Sequence, residues 1–288
     1  MNNSTKGYQV FKVFNTLILI AVIIVTLIPC LNILAKSFSD MKHLDMNTVT
    51  IFPQGFNIDT YKILFKDHTF WLDYRNTIYY TIFGTVISLL MTALFAYTLS
   101  VPRLKGKKFF MGLVVLTMFF NGGIIPNFLL VRNLEMRNTV WAMVIPGAIS
   151  TFNLIVMRTF FQEIPQELQD AAAVDGMNTY GIFFRIILPL SKPILATMAL
   201  FYAVGAWNSW FNALLYLDHA NMQPVTLYLR NLIAGATIQS GTDADALGAV
   251  SANIKAVCIV VTSVPIICIY PFLQKYFVKG VMIGSLKG

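Results

Sequence analysis

Six long apolar runs dominate this chain, at 10–35, 78–100, 109–131, 140–161, 186–217 and 254–278. Each is long enough to cross a hydrocarbon core about 30 Å thick, which takes roughly 20 residues of helix. A lone segment in lipid has no water to bond its backbone N–H and C=O groups. They must therefore pair within the segment, and that selects helices. The expected fold is all-α and integral to a membrane, with six transmembrane helices in a single domain over 1–288. Composition agrees, because 12% of the residues are charged and 57% hydrophobic, whereas soluble domains carry about a quarter charged residues.

Charge placement predicts the orientation. Lys6 and Lys12 lie at the start of the first run, and the connector 102–108 carries Arg103, Lys105, Lys107 and Lys108 with no acid. The tail adds Lys275, Lys279 and Lys287. Cationic connectors stay in the cytoplasm, so both termini and the 102–108 turn are expected there. In the outer loop 36–77, Lys36, Lys42, Lys62, Lys66 and Arg75 are balanced by Asp40, Asp45, Asp59, Asp67 and Asp73. Arg132, Arg137, Arg230 and Lys255 are balanced by Glu135, Asp218, Asp243 and Asp245. The whole formal charge of +8 then sits on the inner face. It points to topology and anionic lipid headgroups rather than to nucleic acid.

The connectors carry further signals. Val49 to Pro53 is β-prone, Phe52 to Gly55 reads as a turn, and Thr237 to Asp243, in the second outer loop 218–253, reads as loop. Two ordered outer loops imply an external partner. Asn121-Gly122-Gly123, followed by Pro126, permits a broken helix lining a cavity, or close helix packing through small residues. Cys30, Cys258 and Cys268 lack metal or disulfide spacing. Leu27-Ile-Pro-Cys30 resembles a lipoprotein cleavage site only loosely, with Pro29 in the wrong place.

The stretch 164–193 is polar where the chain is otherwise greasy. Pro165 can open a helix, because its missing N–H falls in the first turn, and Gly176 can close one. Leu168, Ala171, Ala172 and Asp175 share a face at i, i+3, i+4 and i+7, and alanines there permit close approach of a partner. A helix lying on headgroups is the competing reading, but such helices favour Lys and Arg over these acids.

The order Glu167, Asp170-Ala171-Ala172, Asp175-Gly176, then Ile186-x-Leu188-Pro189 resembles the coupling loop of binding-protein-dependent import permeases of bacterial ABC transporters. Ile164-Pro165, Phe183, Phe184 and Leu190-Ser-Lys-Pro193 extend the likeness. The tail Gln274 to Gly288 resembles that of carbohydrate-uptake permeases of the maltose type. Within them the likeness is strongest to Gram-positive oligosaccharide importers, carried by Phe52-Pro53, Tyr61 and Asn76-Thr77.

The resemblance implies a cytoplasmic coupling helix between spans four and five that grips a separate ATPase through Glu167, Asp170, Ala171, Ala172, Asp175, Gly176, Ile186, Leu188 and Pro189. It also implies a heterodimer with a second permease, two identical ATPase subunits holding the ATP and Mg²⁺, and an extracellular sugar-binding lipoprotein. The location implied is the bacterial cytoplasmic membrane, and the cargo an oligosaccharide. The chain itself is expected to hold no cofactor and no metal and to catalyse no reaction. It departs from the pattern at Asp170, where the family has glutamate. The side chain is one methylene shorter, so coupling is expected to rest more on helix shape than on one ion pair.

For the substrate path, polar and aromatic groups at membrane depth are the candidates: Asn121, Tyr202, Trp207, Asn208, Trp210 and Asn212. Such groups are costly in lipid and face cavities or other helices. Asn208 and Asn212 are expected on one helical face. An interfacial aromatic belt with asparagines bonding between helices is the other reading. A six-span channel or a permease for a non-sugar solute is the functional alternative. The chain has no phosphate-binding G-x-x-x-x-G-K-[ST] sequence, and His43, His68 and His219 form no catalytic or metal pattern.

Overall fold

The computed structural model describes residues 6–239, 253–269 and 271. Along the chain run α1 (Lys6–Ser37), α2 (Met41–Asp45), α3 (Asp59–Lys66), α4 (His68–Ser100), α5 (Lys107–Phe119), α6 (Ile124–Asn133), α7 (Val140–Val144), α8 (Thr151–Gln162) and α9 (Gln166–Val174). There follow α10 (Thr179–Ile182), α11 (Leu188–Leu190), α12 (Lys192–Trp207), α13 (Trp210–Tyr216), α14 (Val225–Gln239) and α15 (Asn253–Ile269). Among the described residues there is no strand. The sixth apolar run extends past the described residues, as do the tail from Gln274 and the segment Ser240 to Ala252.

Among the described residues two helices, α1 and α4, are long and apolar enough to cross a bilayer unaided. Three other apolar runs are bent pairs. The turn between α5 and α6 is 116°, that between Val140–Gly147 and α8 is 57°, and that between Thr179–Leu190 and α12 is 84°. The helices expected at 109–131, 140–161 and 186–217 are thus each divided, the first of them at the Asn121-Gly122-Gly123 break that the sequence permits.

Each bend has a local cause. At the first, Phe120 is extended (φ −113°, ψ 112°) and Gly123 adopts φ +84°, ψ 174°, which a residue with a Cβ rarely does. At the second, Pro146 interrupts the ladder in the 3-10 turn Ile145–Gly147, and Ser150 is extended. At the third, Pro189 and Pro193 each lack a donor N–H, and the turn Phe183–Ile187 widens to a π-helix just before Pro189.

The chain falls into two units. One comprises the residues up to His68 with Leu229–Val264, the other Thr69–Tyr228 with those from Pro265. In the first unit α1 exposes Val10, Leu17, Ile24 and Leu31, the surface expected of a helix facing lipid. Beyond it the loop that follows α1 is tied down by side chains. Asn32 Nδ2 donates to the Val49 and Thr50 carbonyls at 3.2 and 2.6 Å, and the Tyr61 hydroxyl donates to Ser37 at 2.9 Å. Phe38 stacks between Phe56 and Tyr61 at centroid distances of 5.7 and 5.1 Å. The β-prone stretch at Val49 forms no strand because its carbonyls are used by Asn32. Asp40 caps α2, accepting from the His43 amide at 3.0 Å. That bond, with a second to the His43 ring, holds its carboxyl below the usual carboxylate range.

In the second unit the N-terminal half of α4 is pinned to the segment leading into α14. Asn76 Nδ2 donates to the Asn221 and Gln223 carbonyls at 2.8 and 3.1 Å, the Tyr80 hydroxyl donates to the Met222 carbonyl at 2.8 Å, and Thr77 Oγ1 accepts from the Val225 N–H at 2.8 Å. At the same end Arg137 donates twice to Asp218, at 3.0 and 2.8 Å, and Asn138 brackets that carboxylate. Removing Asn76, which is buried, strands two carbonyls, so Asn76→Ala is expected to cost about 1–3 kcal/mol. Asn208→Ala removes only a bond one turn back to Val204 and is expected within about 0.5 kcal/mol of wild type. Thermal unfolding in detergent compares them.

Candidate functional site

The segment expected to couple is a short helix on a buried pedestal. Pro165 (φ −53°, ψ 130°) precedes α9, and Gly176 ends its C-terminal turn at φ +82°. The Met177 N–H returns to the Ala172 carbonyl at 3.0 Å, and the Gly176 N–H to that of Ala173 at 3.1 Å. Both helix ends therefore lie where Pro165 and Gly176 predict.

The face is different. Ala172 is 4% exposed and packs into the core of its own chain. Gln169 turns the same way and accepts from the Tyr97 hydroxyl at 3.2 Å. The outward face is Glu167, Asp170, Ala171 and Val174, with Val174 88% exposed. Leu168, Ala171, Ala172 and Asp175 therefore do not form one docking surface, since Ala172 is the inward anchor. Helical spacing states which residues share a face, but the pedestal decides which way that face turns. Asp170 Oδ1 accepts from Gln166 Nε2 at 3.2 Å, one turn earlier.

The pedestal joins Met157 and Phe161 of α8, Phe183 and Ile187 of the π turn, Met198 of α12, and Ala96, Tyr97 and Leu99 of α4, all buried. The Tyr97 ring lies 5.2 Å from Phe183 and 6.4 Å from Phe161. Within Ile186-x-Leu188-Pro189 the fully buried side chain is Ile187, in the variable position, whereas Ile186 and Leu188 are partly buried. Phe183 and Ile187 were the signal to find, an apolar pair four apart. Two cations close the end of α4: Arg158 Nε donates to the Leu99 carbonyl at 3.1 Å, and Lys107 Nζ to those of Ser100 and Val101 at 3.1 and 3.3 Å. Cations suit a helix C-terminus, where carbonyls lack partners and the dipole is negative.

Within the same unit a cavity of about 430 Å³ opens among α4, α7, α8, α12 and α13. Its polar lining is Ser88, Ser150, Asn153, Tyr202, Ser209 and Asn212, its aromatic lining includes Tyr80, Phe152 and Phe201, and no charged residue lines it. Gly147 and Gly205 widen it, and a Cβ at either would meet nothing within 4 Å.

Of the six path candidates, Tyr202 and Asn212 reach this cavity and four do not. Asn121 bends back to accept from the Gly123 N–H at 3.0 Å, within the α5–α6 break. Trp207 is buried against the edge of Tyr74, at 5.8 Å. Trp210 packs on Phe211 at 5.5 Å. Asn208 and Asn212 do not share a face, because α12 ends at Trp207 and the chain turns at Asn208 and Ser209 before α13.

The fold is that of an apolar helical protein, and its relatives name its class. Residues 74–283 match the family described as binding-protein-dependent transport system inner membrane component. The chain belongs to this family. It is 41% identical to Protein LplC of Bacillus subtilis (strain 168), covering 99% of this chain and 98% of that one. It is 38% identical to the polygalacturonan/rhamnogalacturonan transport system permease protein YtcP of the same strain, over 96% and 97%. A crystal structure of a bacterial ABC transporter involved in the import of the acidic polysaccharide alginate contains a chain that superposes with a TM-score of 0.85, at 31% identity, covering 96% of this chain and 100% of that one. The protein is thus a membrane-embedded ABC importer permease, a transport component rather than an enzyme. It works with a partner permease, an ATPase and a substrate-binding protein.

Gly176 gives a sharp test of the coupling turn. An added Cβ has open space, so the strain comes from φ alone. Left-handed backbone costs an ordinary residue about 1–2 kcal/mol, and asparagine less. Gly176→Val is expected to lose most uptake in assembled transporter and Gly176→Asn to retain most of it. Equal uptake by all three would remove the strained turn from the account.

Proposed function

We propose that this chain crosses the bacterial cytoplasmic membrane six times with both termini inside, forms one half of an oligosaccharide path, and couples it through α9 to ATPase subunits in the cytoplasm. The observation that carries this reading is the geometry of α9. A polar helix is held by buried residues of four other helices and offers Glu167, Asp170, Ala171 and Val174 outward. Gly176, Ile186, Leu188 and Pro189 fix its exit toward α12, and Asp175 stands exposed at its end. Tyr97, Arg158 and Leu99 put α9 at the end of α4 that leads into the cationic turn 102–108. Cytoplasmic placement of α9 follows from that neighbour by the positive-inside tendency.

The assembly that fits is a heterodimer with a second permease, above two identical ATPase subunits that bind ATP and Mg²⁺, with a sugar-binding lipoprotein outside. α15 belongs to the sixth crossing, and the bent pairs make the third, fourth and fifth. Closing of the ATPases pushes on α9, and the pedestal transmits that displacement to α8 and α12.

The cavity suits a sugar. Aromatic rings match the apolar faces of pyranose rings, and hydroxyl and amide groups match their hydroxyls. Its neutral lining places any charge recognition elsewhere in the complex. The names of two relatives point the same way, toward polygalacturonan/rhamnogalacturonan and the acidic polysaccharide alginate.

Two measurements test this function. Proteoliposomes holding this chain, its partner permease and the ATPase are expected to hydrolyse ATP faster when loaded binding protein is added. No stimulation would remove the importer reading. Gly205→Leu, which extends into the cavity from a position with open space, is expected to lower uptake at least tenfold with normal assembly. Unchanged uptake would place the sugar path elsewhere.

A further inference from the structure

The Tyr202 hydroxyl is where three cavity-lining helices meet. It lies 2.6 Å from Thr92 Oγ1 on α4 and accepts from the Ser150 backbone N–H at 3.0 Å. Ser150 caps α8, its side chain accepting from the Asn153 N–H, and it stands at the 57° break above that helix. A broken helix frees backbone donors, and a buried donor without a partner costs about 1–3 kcal/mol. Tyr202 supplies that partner. A phenol has one proton and two lone pairs, so these two bonds leave it one further site: a lone pair where it donates to Thr92, its proton where Thr92 donates.

The Tyr202 ring also forms part of the cavity wall. One side chain therefore both lines the cavity and holds the break. From Ser150, α8 runs 12 residues without interruption and passes through Glu163, Ile164 and Pro165 into α9. In the other direction α12 descends from Tyr202 through Ser191 and α11 to α10, beside α9. Met157, Phe161, Ile187 and Met198 bind these two arms at the base. The coupling segment hangs in a loop closed above by Tyr202 and below by that core.

Building on the importer reading, we propose that Tyr202 is a positioning residue for coupling. Its hydroxyl fixes the angle of the break above α8, its ring senses what occupies the cavity, and α8 carries the difference to α9. A helix of this length spans about 18 Å, so a small change of angle at Ser150 becomes a displacement at the ATPase contact.

The test compares wild type, Tyr202→Phe and Thr92→Val in the full complex, with partner permease, ATPases and binding protein in proteoliposomes. Basal and stimulated ATP hydrolysis and sugar moved per ATP are read together with melting temperature. Tyr202→Phe keeps the ring and is expected to raise basal hydrolysis about fivefold or more, the lower bound of ordinary coupling effects, while sugar per ATP falls. Thr92→Val, which removes one of the two bonds, is expected to move both in the same direction by less. Wild-type ratios in Tyr202→Phe would overturn the proposal. So would a lowered melting temperature with unchanged ratios, which marks a structural bond only, or a change confined to the KM for sugar, which marks a contact without linkage. If Tyr202→Phe fails to assemble, Thr92→Val decides by the same criteria. A wild-type complex without stimulation would sink the importer reading itself, and the role of Tyr202 with it.

Discussion

The rest of this structure depends on satisfying backbone hydrogen bonds in a medium without water. An unbroken helix such as α1 or α4 does so along its whole length within its own backbone. Each interruption frees donors or acceptors that something else must meet. Asn121 meets the Gly123 N–H, and Tyr202 that of Ser150. The Ser209 hydroxyl bonds the Ala206 carbonyl at 2.7 Å where α12 stops. At the C-terminal end of α4 the same task falls to Arg158 and Lys107. Many polar residues of this apolar chain are first of all partners for interrupted backbone, and only then candidates for touching a substrate.

That ordering explains which features were legible in the sequence. Apolar length marked the helices, Pro165 and Gly176 marked the ends of α9, and Asn121-Gly-Gly with Pro126 marked the first break. The breaks within 140–161 and 186–217 were hidden, because hydropathy reports burial in lipid and carries no direction. Pro146, Pro189 and Pro193 were the available signals. The helix α14 lay inside a stretch whose Gly, Ser and Asp content reads as loop only at its far end. Ala172 and Ile187 show the other limit. Periodicity groups residues into faces, but the orientation of a face is set by tertiary partners, here Tyr97, Phe161 and Phe183. The substrate candidates divided for the same reason, since Trp207 and Asn208 serve packing and helix ending while Asn212 reaches the cavity.

Van der Waals fit must hold the pedestal beneath the cavity, since apolar surface gains little by leaving lipid for protein. A tightly fitted core transmits displacement instead of absorbing it. The arrangement thus favours rigid arms, α8 and α12, joined to a small coupling helix, with adjustable geometry concentrated at the breaks. On the function proposed above, the shortened acid at Asp170 fits this economy, because a contact of α9 with the ATPase would rest on the shape and placement of the helix.

The most direct test is a photo-cross-linking residue placed in turn at positions 174 and 172 of the assembled transporter. The account predicts that position 174, on the 88% exposed side of α9, cross-links to the ATPase, and that position 172, buried in the pedestal, cross-links only within this chain. Cross-linking to the ATPase from position 172, or none from position 174, would contradict it.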